Sequence, residues 1–383
     1  MPRLRATETP PKRGLRRAAD PLVVVVVARN CADRMMRRPL PIDCESRFPF
    51  FFFFGSTRQK LARMVGRMPA RVAASNAAAS SSSGGGTLFC FGTGYTALAL
   101  ASALRARGWA VHGTSRSRTK ETALRECGVI PHLFDPSRGQ GLGDDAIRAL
   151  RSSSAVLSTV PPCEARGAHG LVDPVATLLR GLGQTSSRWV GYVSTTSVYG
   201  DDWGGDWVTE ETPLGGRGPV AERAALRIRA EREWLSLAGA LPIHVFRSGG
   251  IYGPLRNVLE SRATEENARR RRAQRFVSRC HVFDLAAVLS RSIEAPGGGI
   301  YNVVDDCPAP RDVVERFVRG EPGGWAGGSP GSGGKRVSNA KIKSELGVRL
   351  EFPTYAEGMT AIMRGDARPF TPEALRALGG EVA

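Results

Sequence analysis

The first strongly patterned stretch of the chain begins at Leu88. The apolar run Leu88-Phe89-Cys90-Phe91 reads as a buried strand, which breaks at once into Gly92-Thr93-Gly94-Tyr95-Thr96-Ala97. Behind it, Leu98, Leu100, Ala101, Ala103 and Leu104 share one helix face that Gly108 closes, and Trp109-Ala110-Val111-His112-Gly113 reads as a second strand. The alternation continues with Val129 to Phe134, Ala155 to Val160, Trp189 to Ser194 and Ile243 to Phe246 as strands three to six, with helical segments between them. Such regular alternation predicts an α/β fold, a doubly wound parallel sheet covered on both faces. Beyond Arg247 the pattern loosens. From Ser248 to about Glu351 short elements mix with loops, including the Gly323 to Gly334 tract, as expected of a small C-terminal lobe on the substrate side.

The Gly-x-Gly-x-x-Ala turn adds a ligand to this picture. Gly92 permits a tight turn, Gly94 lets a diphosphate approach the backbone, and Ala97 keeps the helix close to the strand. The phosphates are expected on the free N–H groups at the helix N-terminus, where the macrodipole supplies about half a positive charge. This is a Rossmann-type dinucleotide site, with Tyr95 also in the turn. No acid follows strand two, where an acid would bind a ribose 2′-hydroxyl. Instead Gly113-Thr114-Ser115-Arg116 offers Arg116 to a 2′-phosphate, so NADP(H) is the expected cofactor, with NAD(H) the alternative.

Charge and composition separate the N-terminal segment from the rest. Residues 1 to 85 carry 16 Lys/Arg against 5 Asp/Glu, and most of the net charge of +18 resides there. No acidic residue occurs from Ser46 to Lys120, and the segment ends in an Ala/Ser/Gly tract. It reads as a targeting segment and linker, for the chloroplast before the mitochondrion, with a basic tail on a cytoplasmic protein as the alternative. Residues 86 to 383 are then one extended dinucleotide-binding domain, with the substrate lobe mainly at 248 to 351. The lobe and sheet are only mildly basic, which gives little support to nucleic acid as a partner. The apolar runs Val23 to Val27 and Phe50 to Phe54 fall far short of the ~20 residues that span a bilayer. The seven cysteines are dispersed and form no Cys-x-x-Cys, which predicts free thiols and no metal site.

Specificity comes from longer segments. Tyr192-Val193-Ser194-Thr195-Thr196-Ser197-Val198-Tyr199-Gly200, Val208-Thr209-Glu210-Glu211-Thr212-Pro213-Leu214, Arg247-Ser248-Gly249-Gly250-Ile251-Tyr252-Gly253-Pro254, His281-Val282-Phe283-Asp284 and Ile300-Tyr301-Asn302-Val303 stand in order. Together with Arg336-Val337-Ser338-Asn339-Ala340-Lys341-Ile342, they resemble the extended short-chain dehydrogenase/reductases, the nucleotide-sugar epimerase/dehydratase family, across roughly residues 87 to 365. The resemblance is strongest to atypical members, including plastid-targeted ones. It implies a Ser/Thr at the end of strand five and a Tyr-x-x-x-Lys on the next helix, the tyrosine acting as acid/base. Thr195 matches the first position. The Tyr-x-x-x-Lys is missing: aligning Glu231 with the acid that usually follows the lysine puts Arg223 at the tyrosine position and Arg227 at the lysine position. Arg227 can bind a ribose or polarise a hydroxyl, but it does not readily shuttle a proton. Tyr199 is then the expected acid/base with Thr195 as its partner, or else a residue lining the pocket. Asp135, ending strand three, matches the family position that contacts adenine or caps a turn, and Pro161 with Pro162 is expected to shape the loop over the cofactor. Thr196 and Ser197 stand where dehydratases carry acids, which disfavours elimination of water.

The remaining charge feature is Arg269-Arg270-Arg271-Arg272-Ala273-Gln274-Arg275, which suits an anionic substrate, RNA or a solvated helix end. His281 and Asp284 read as helix-start residues, while His112, His132, His169 and His244 are expected without partners. The resulting expectation is an oxidoreductase or epimerase acting on a small, anionic or sugar-like substrate. The alternatives are a non-catalytic dinucleotide-binding regulator or assembly factor and a plastid RNA-binding protein of the same fold. The oligomeric state is not legible in the sequence.

Overall fold

A computed structural model describes residues 85–163, 172–183, 185–216, 221–260, 276–295, 297–321 and 334–380. The expected targeting segment, up to residue 84, and the arginine cluster at 269–275 lie outside the described residues, as does His169. The chain runs β1 (Thr87–Phe91), α1 (Tyr95–Arg105), β2 (Ala110–Ser115), α2 (Glu121–Glu126), β3 (Val129–Leu133), α3 (Asp144–Ser152), β4 (Ala155–Ser158), α4 (Pro174–Leu182) and β5 (Trp189–Thr195). It continues through β6 (Asp202–Val208), α5 (Glu222–Leu235), β7 (Ile243–Ser248), β8 (Gly250–Tyr252), β9 (Arg279–His281), α6 (Val282–Ser292) and β10 (Gly299–Val303). The final elements are α7 (Arg311–Val318), β11 (Gly334–Val337), α8 (Ala340–Ser344), α9 (Tyr355–Met363) and α10 (Pro372–Ala377).

Seven strands form one parallel sheet in the order β10-β7-β5-β4-β1-β2-β3. The order reverses beside β1, which places a crevice at the C-terminal ends of β1 and β4. The central strands read as continuous apolar runs because both their faces are covered. On one face Leu88 and Cys90 pack against Leu98, Leu100 and Leu104 of α1 and Leu285 and Leu289 of α6. On the other, Phe89 and Phe91 pack with Leu150 of α3, Val175 and Leu179 of α4 and Trp234 of α5.

Two features depart from the sequence expectations. The seventh strand, β10, comes from the region where the pattern had loosened, and it pairs with β7 in register from Gly299↔His244 to Val303↔Ser248. The small lobe also draws on β6, which pairs with β11, while β8 pairs with β9. Secondly, three of the histidines do not stand alone: on adjacent strands, His112 Nδ1 and His132 Nε2 are 2.9 Å apart and both rings stack near Phe89, and His244 Nδ1 lies 3.2 Å from the Pro242 carbonyl oxygen.

Candidate active site

The glycine turn leaves β1 at Gly92, whose φ of +82° is left-handed and favours glycine. Thr114 holds the turn from the neighbouring strand. Its Oγ1 accepts from the Gly92 N–H at 2.9 Å, and its carbonyl accepts from the Thr93 N–H at 3.1 Å and the Thr93 hydroxyl at 3.0 Å. Thr114 is thus a buried support of the turn, its hydroxyl engaged with the protein backbone. Gly113 beside it has no room for a side chain, because a Cβ there would lie 2.3 Å from Thr93 Cγ2.

Gly94 is the N-cap of α1 and supplies no side-chain cap, and the first turn of the helix contains no acid. A Cβ built on Gly94 meets nothing within 4 Å, so space lies open beside the uncapped N–H groups. Those are the features a diphosphate needs: unpaired donors, a positive dipole end and a close approach to backbone. The residues present therefore fit a dinucleotide, with Ala97 buried against the sheet behind them. Arg116 is exposed just past the end of β2, in the loop beyond the turn. Asp135 is buried and caps the 3-10 turn Pro136–Arg138, its Oδ1 accepting from Ser137 N at 3.2 Å and Ser137 Oγ at 2.5 Å. Of the two readings of Asp135, the cap is the one with visible partners. Pro161 is exposed after β4, next to Thr159, whose hydroxyl donates to the Gly92 carbonyl at 2.9 Å.

At the other end of the crevice, Thr195 closes β5 and caps the 3-10 turn Thr196–Tyr199, its Oγ1 accepting from the Ser197 N–H at 3.2 Å. Arg227 reaches β5 from α5 and donates through Nη1 to the Tyr192 hydroxyl at 3.0 Å and the Val193 carbonyl at 3.3 Å. Arg227, which the sequence reading aligned with the family's lysine, is thus a half-buried guanidinium that meets β5 two residues before Thr195. Arg223, at the tyrosine position, is exposed.

Tyr199 corrects the sequence reading. It has no solvent exposure, its hydroxyl donates to Asn302 Oδ1 at 2.7 Å and accepts from Arg247 Nη1 at 2.9 Å, and burial pushes its phenol up to about 12. Neither a free proton-transfer position nor contact with Thr195 remains, so Tyr199 is not placed as an acid/base. It belongs to a buried network that the sequence reading missed. Arg247 forms a buried ion pair with Glu231 at 2.9 Å, Ser194 Oγ donates to Glu231 Oε1 at 2.5 Å, and Glu210 receives Arg247 on its carbonyl and the Asn302 N–H on its carboxylate. An arginine inside the apolar strand Ile243–Ser248 was the available signal, because a charge there requires a buried partner. Among the described residues no group of three or more His, Cys, Asp or Glu side chains could hold a metal ion, and no helix is long and apolar enough to cross a membrane.

Comparison with known proteins places this geometry. No family model matches the chain. It is 26% identical over 268 residues to Protein YeeZ of Escherichia coli (strain K12), covering 68% of this chain and 94% of that one. A solved structure of a conserved protein of unknown function from Silicibacter pomeroyi DSS is 36% identical, with 74% of this chain and 99% of that chain covered at a TM-score of 0.57. The chain belongs to the family of that bacterial protein, and its fold is that of the extended short-chain dehydrogenase/reductases. The fold is shared with UDP-glucuronic acid 4-epimerase from Bacillus cereus, solved in complex with NAD, at 14% identity, 78% and 99% coverage and a TM-score of 0.56. The chain carries the glycine turn at Gly92–Ala97, and none of its tyrosines is followed four residues later by lysine.

Proposed function

We propose that the protein binds a nicotinamide dinucleotide, NADP(H) in preference to NAD(H), and uses it for oxidoreduction or epimerisation of a small anionic or sugar-like substrate. The observation that carries this reading is the uncapped N-terminus of α1 beside the open face of Gly94. The NAD in the epimerase structure of the same fold supports the cofactor class. When bound, the dinucleotide supplies a hydride donor or acceptor. The chain supplies the rest. Backbone N–H groups of the turn bind the diphosphate, Arg116 takes a ribose 2′-phosphate, Arg227 keeps a fixed positive charge beside the end of β5, and the Thr195 hydroxyl hydrogen-bonds the substrate oxygen. A free phenol near pKa 10 already lies about three units from neutral pH, roughly 4 kcal/mol, and the sealed Tyr199 lies further away. Tyr199 is therefore not the proton source in this reading, and the Thr195 hydroxyl serves to orient the substrate oxygen. Residues 1 to 85 complete the reading as a plastid-targeting segment, which a fluorescent fusion that stays in the cytosol would refute.

The test is a calorimetric titration with NADPH and NADH, followed by a substrate-library screen monitored by nicotinamide absorbance. Binding with turnover supports the enzyme. Binding without turnover on any substrate supports a second reading, a dinucleotide-dependent regulator, which the burial of Tyr199 and the missing tyrosine–lysine pair favour.

A further inference from the structure

Tyr95 is the first residue of α1, so its backbone N–H stands among the uncapped donors of the glycine turn. Its side chain leads elsewhere. The hydroxyl donates to the Pro254 carbonyl at 2.7 Å, the Arg256 guanidinium lies over the ring at 5.5 Å from its centroid, and Phe370 from the C-terminal segment packs against the ring at 5.0 Å. One residue thus touches the diphosphate site with its backbone and the entrance of the small lobe with its side chain.

The segment it grips is a tight, strained turn. Gly253 and Arg256 exchange backbone hydrogen bonds of 2.9 and 3.1 Å, and Asn257 Nδ2 donates to the Gly253 carbonyl at 3.1 Å. Between them Leu255 sits at φ +62°, among the described residues the single non-glycine in the left-handed region. A branched side chain in that conformation costs on the order of 1 kcal/mol and persists where its surroundings hold it. Leu255 itself is exposed; Tyr95 grips the flanking Pro254 and Arg256, and Gly380 lies beside Leu255, where a built Cβ would meet Leu255 Cδ1 at 2.6 Å. Gly253 is shaped to the same contact, since a Cβ on it would lie 2.6 Å from the Tyr95 hydroxyl and 2.7 Å from Val282 Cγ1. The turn directly follows β8, which pairs with β9 of the small lobe.

We infer that Tyr95 is a positioning residue that couples occupancy of the glycine turn to the 253–256 turn, so that dinucleotide binding fixes the mouth of the substrate lobe. The inference rests on the proposed binding of a dinucleotide at Gly92–Ala97. Its physical basis is that phosphate on the α1 N-terminus restrains Tyr95's backbone, and a restrained Tyr95 stabilises the strained turn through the Pro254 hydrogen bond and the Arg256 stack.

The experiment is amide hydrogen exchange of the full chain with and without NADPH, in parallel with calorimetric binding, on wild type, Tyr95→Phe and Arg256→Ala. Tyr95→Phe keeps the ring and loses only the hydroxyl; Arg256→Ala removes the stacked cation from the opposite side. In wild type, NADPH is expected to slow exchange over residues 250–257 at least tenfold. In both variants that ligand-dependent slowing should fall below about threefold, while exchange at Gly94 to Leu98 still slows. A merely structural Tyr95 would raise exchange equally with and without ligand and leave the ligand-dependent ratio intact, which overturns the coupling. Wild type that binds NADPH without protecting 250–257 overturns it as well. Wild type that binds neither NADPH nor NADH overturns the dinucleotide reading itself, and the coupling with it.

Discussion

Gly94 has φ −92° and ψ −167°, values open to any residue, and a Cβ there meets nothing in the protein. Gly94→Val should therefore fold with an unchanged melting temperature yet lose dinucleotide binding altogether, because the branched side chain occupies the diphosphate's place. Calorimetry showing wild-type affinity in this variant would sink the assignment. Arg116→Ala should weaken NADPH roughly ten- to a hundredfold and leave NADH nearly unchanged, as expected for loss of a charge-assisted bond of about 1.5–3 kcal/mol. Equal losses for the two cofactors would remove the 2′-phosphate role. For Tyr199→Phe the expectation is the reverse of a catalytic effect: a destabilisation of about 1–3 kcal/mol, because Asn302 Oδ1 and Arg247 Nη1 each lose a buried partner, with cofactor affinity retained. Urea unfolding beside calorimetry separates the two. The glycine turn was legible at this scale because backbone demands leave a fixed residue pattern. Tyr199 was misread because its exposure depends on Arg247 and Asn302, which lie on neighbouring strands of the sheet but far from it in sequence.

The N-terminus of α6 carries an element-scale consequence. His281 caps the helix, its Nδ1 accepting from the Phe283 N–H at 3.2 Å, and Asp284 in the first turn accepts from the Glu351 and Phe352 N–H groups at 2.7 and 3.0 Å. Both were expected as helix-start residues, and both sit there. Burial pushes His281 down to about 4 and Asp284 up to about 6. Relative to the unfolded chain, folded His281 binds fewer protons between about pH 4 and 6.5, so its contribution is present above that window and is lost as pH falls through it. Folded Asp284 binds more protons between about pH 4 and 6, so its contribution is present below that window and is lost as pH rises. Each is worth at most ~3 kcal/mol, and the two oppose each other. His281→Asn keeps a good N-cap while removing the imidazole, so only the Asp284 slope remains. The stability difference between wild type and variant should shift by up to ~3 kcal/mol in favour of wild type from pH 4 to 6.5. Parallel stability curves across that range would show that His281 does not titrate as its burial requires. The start of α6 was readable because its capping residues are local, whereas β6, Asp-Trp-Gly-Gly-Asp-Trp-Val, has exposed acids and two left-handed glycines and gives no strand pattern.

At the scale of the whole molecule, the sheet closes only when the chain returns from the lobe. β10 carries Asn302, whose side chain receives Tyr199 and whose backbone N–H binds Glu210, so the last strand completes the buried network around Arg247 as well as the edge of the sheet. The sequence hides this role because Gly299-Ile300-Tyr301-Asn302-Val303 is short, opens on glycine and buries an amide; its function is visible only once β7 lies beside it. The lobe is therefore expected to unfold together with the sheet rather than as an appendage to a complete nucleotide-binding half. A chain covering 85–295 lacks β10. It exposes the backbone edge of β7 and leaves Tyr199 and Glu210 without Asn302, with Arg247 and Glu231 still buried and now poorly supported. Losing several buried hydrogen bonds at about 1–3 kcal/mol each removes most of a domain stability of 5–15 kcal/mol. In urea, followed through the buried Trp189 and Trp234, the chain 85–380 should unfold in one sigmoidal transition and the chain 85–295 should show none. A cooperative transition of the shorter chain at the same midpoint would mean that the sheet is stable without its last strand and that the network around Arg247 contributes little to holding it.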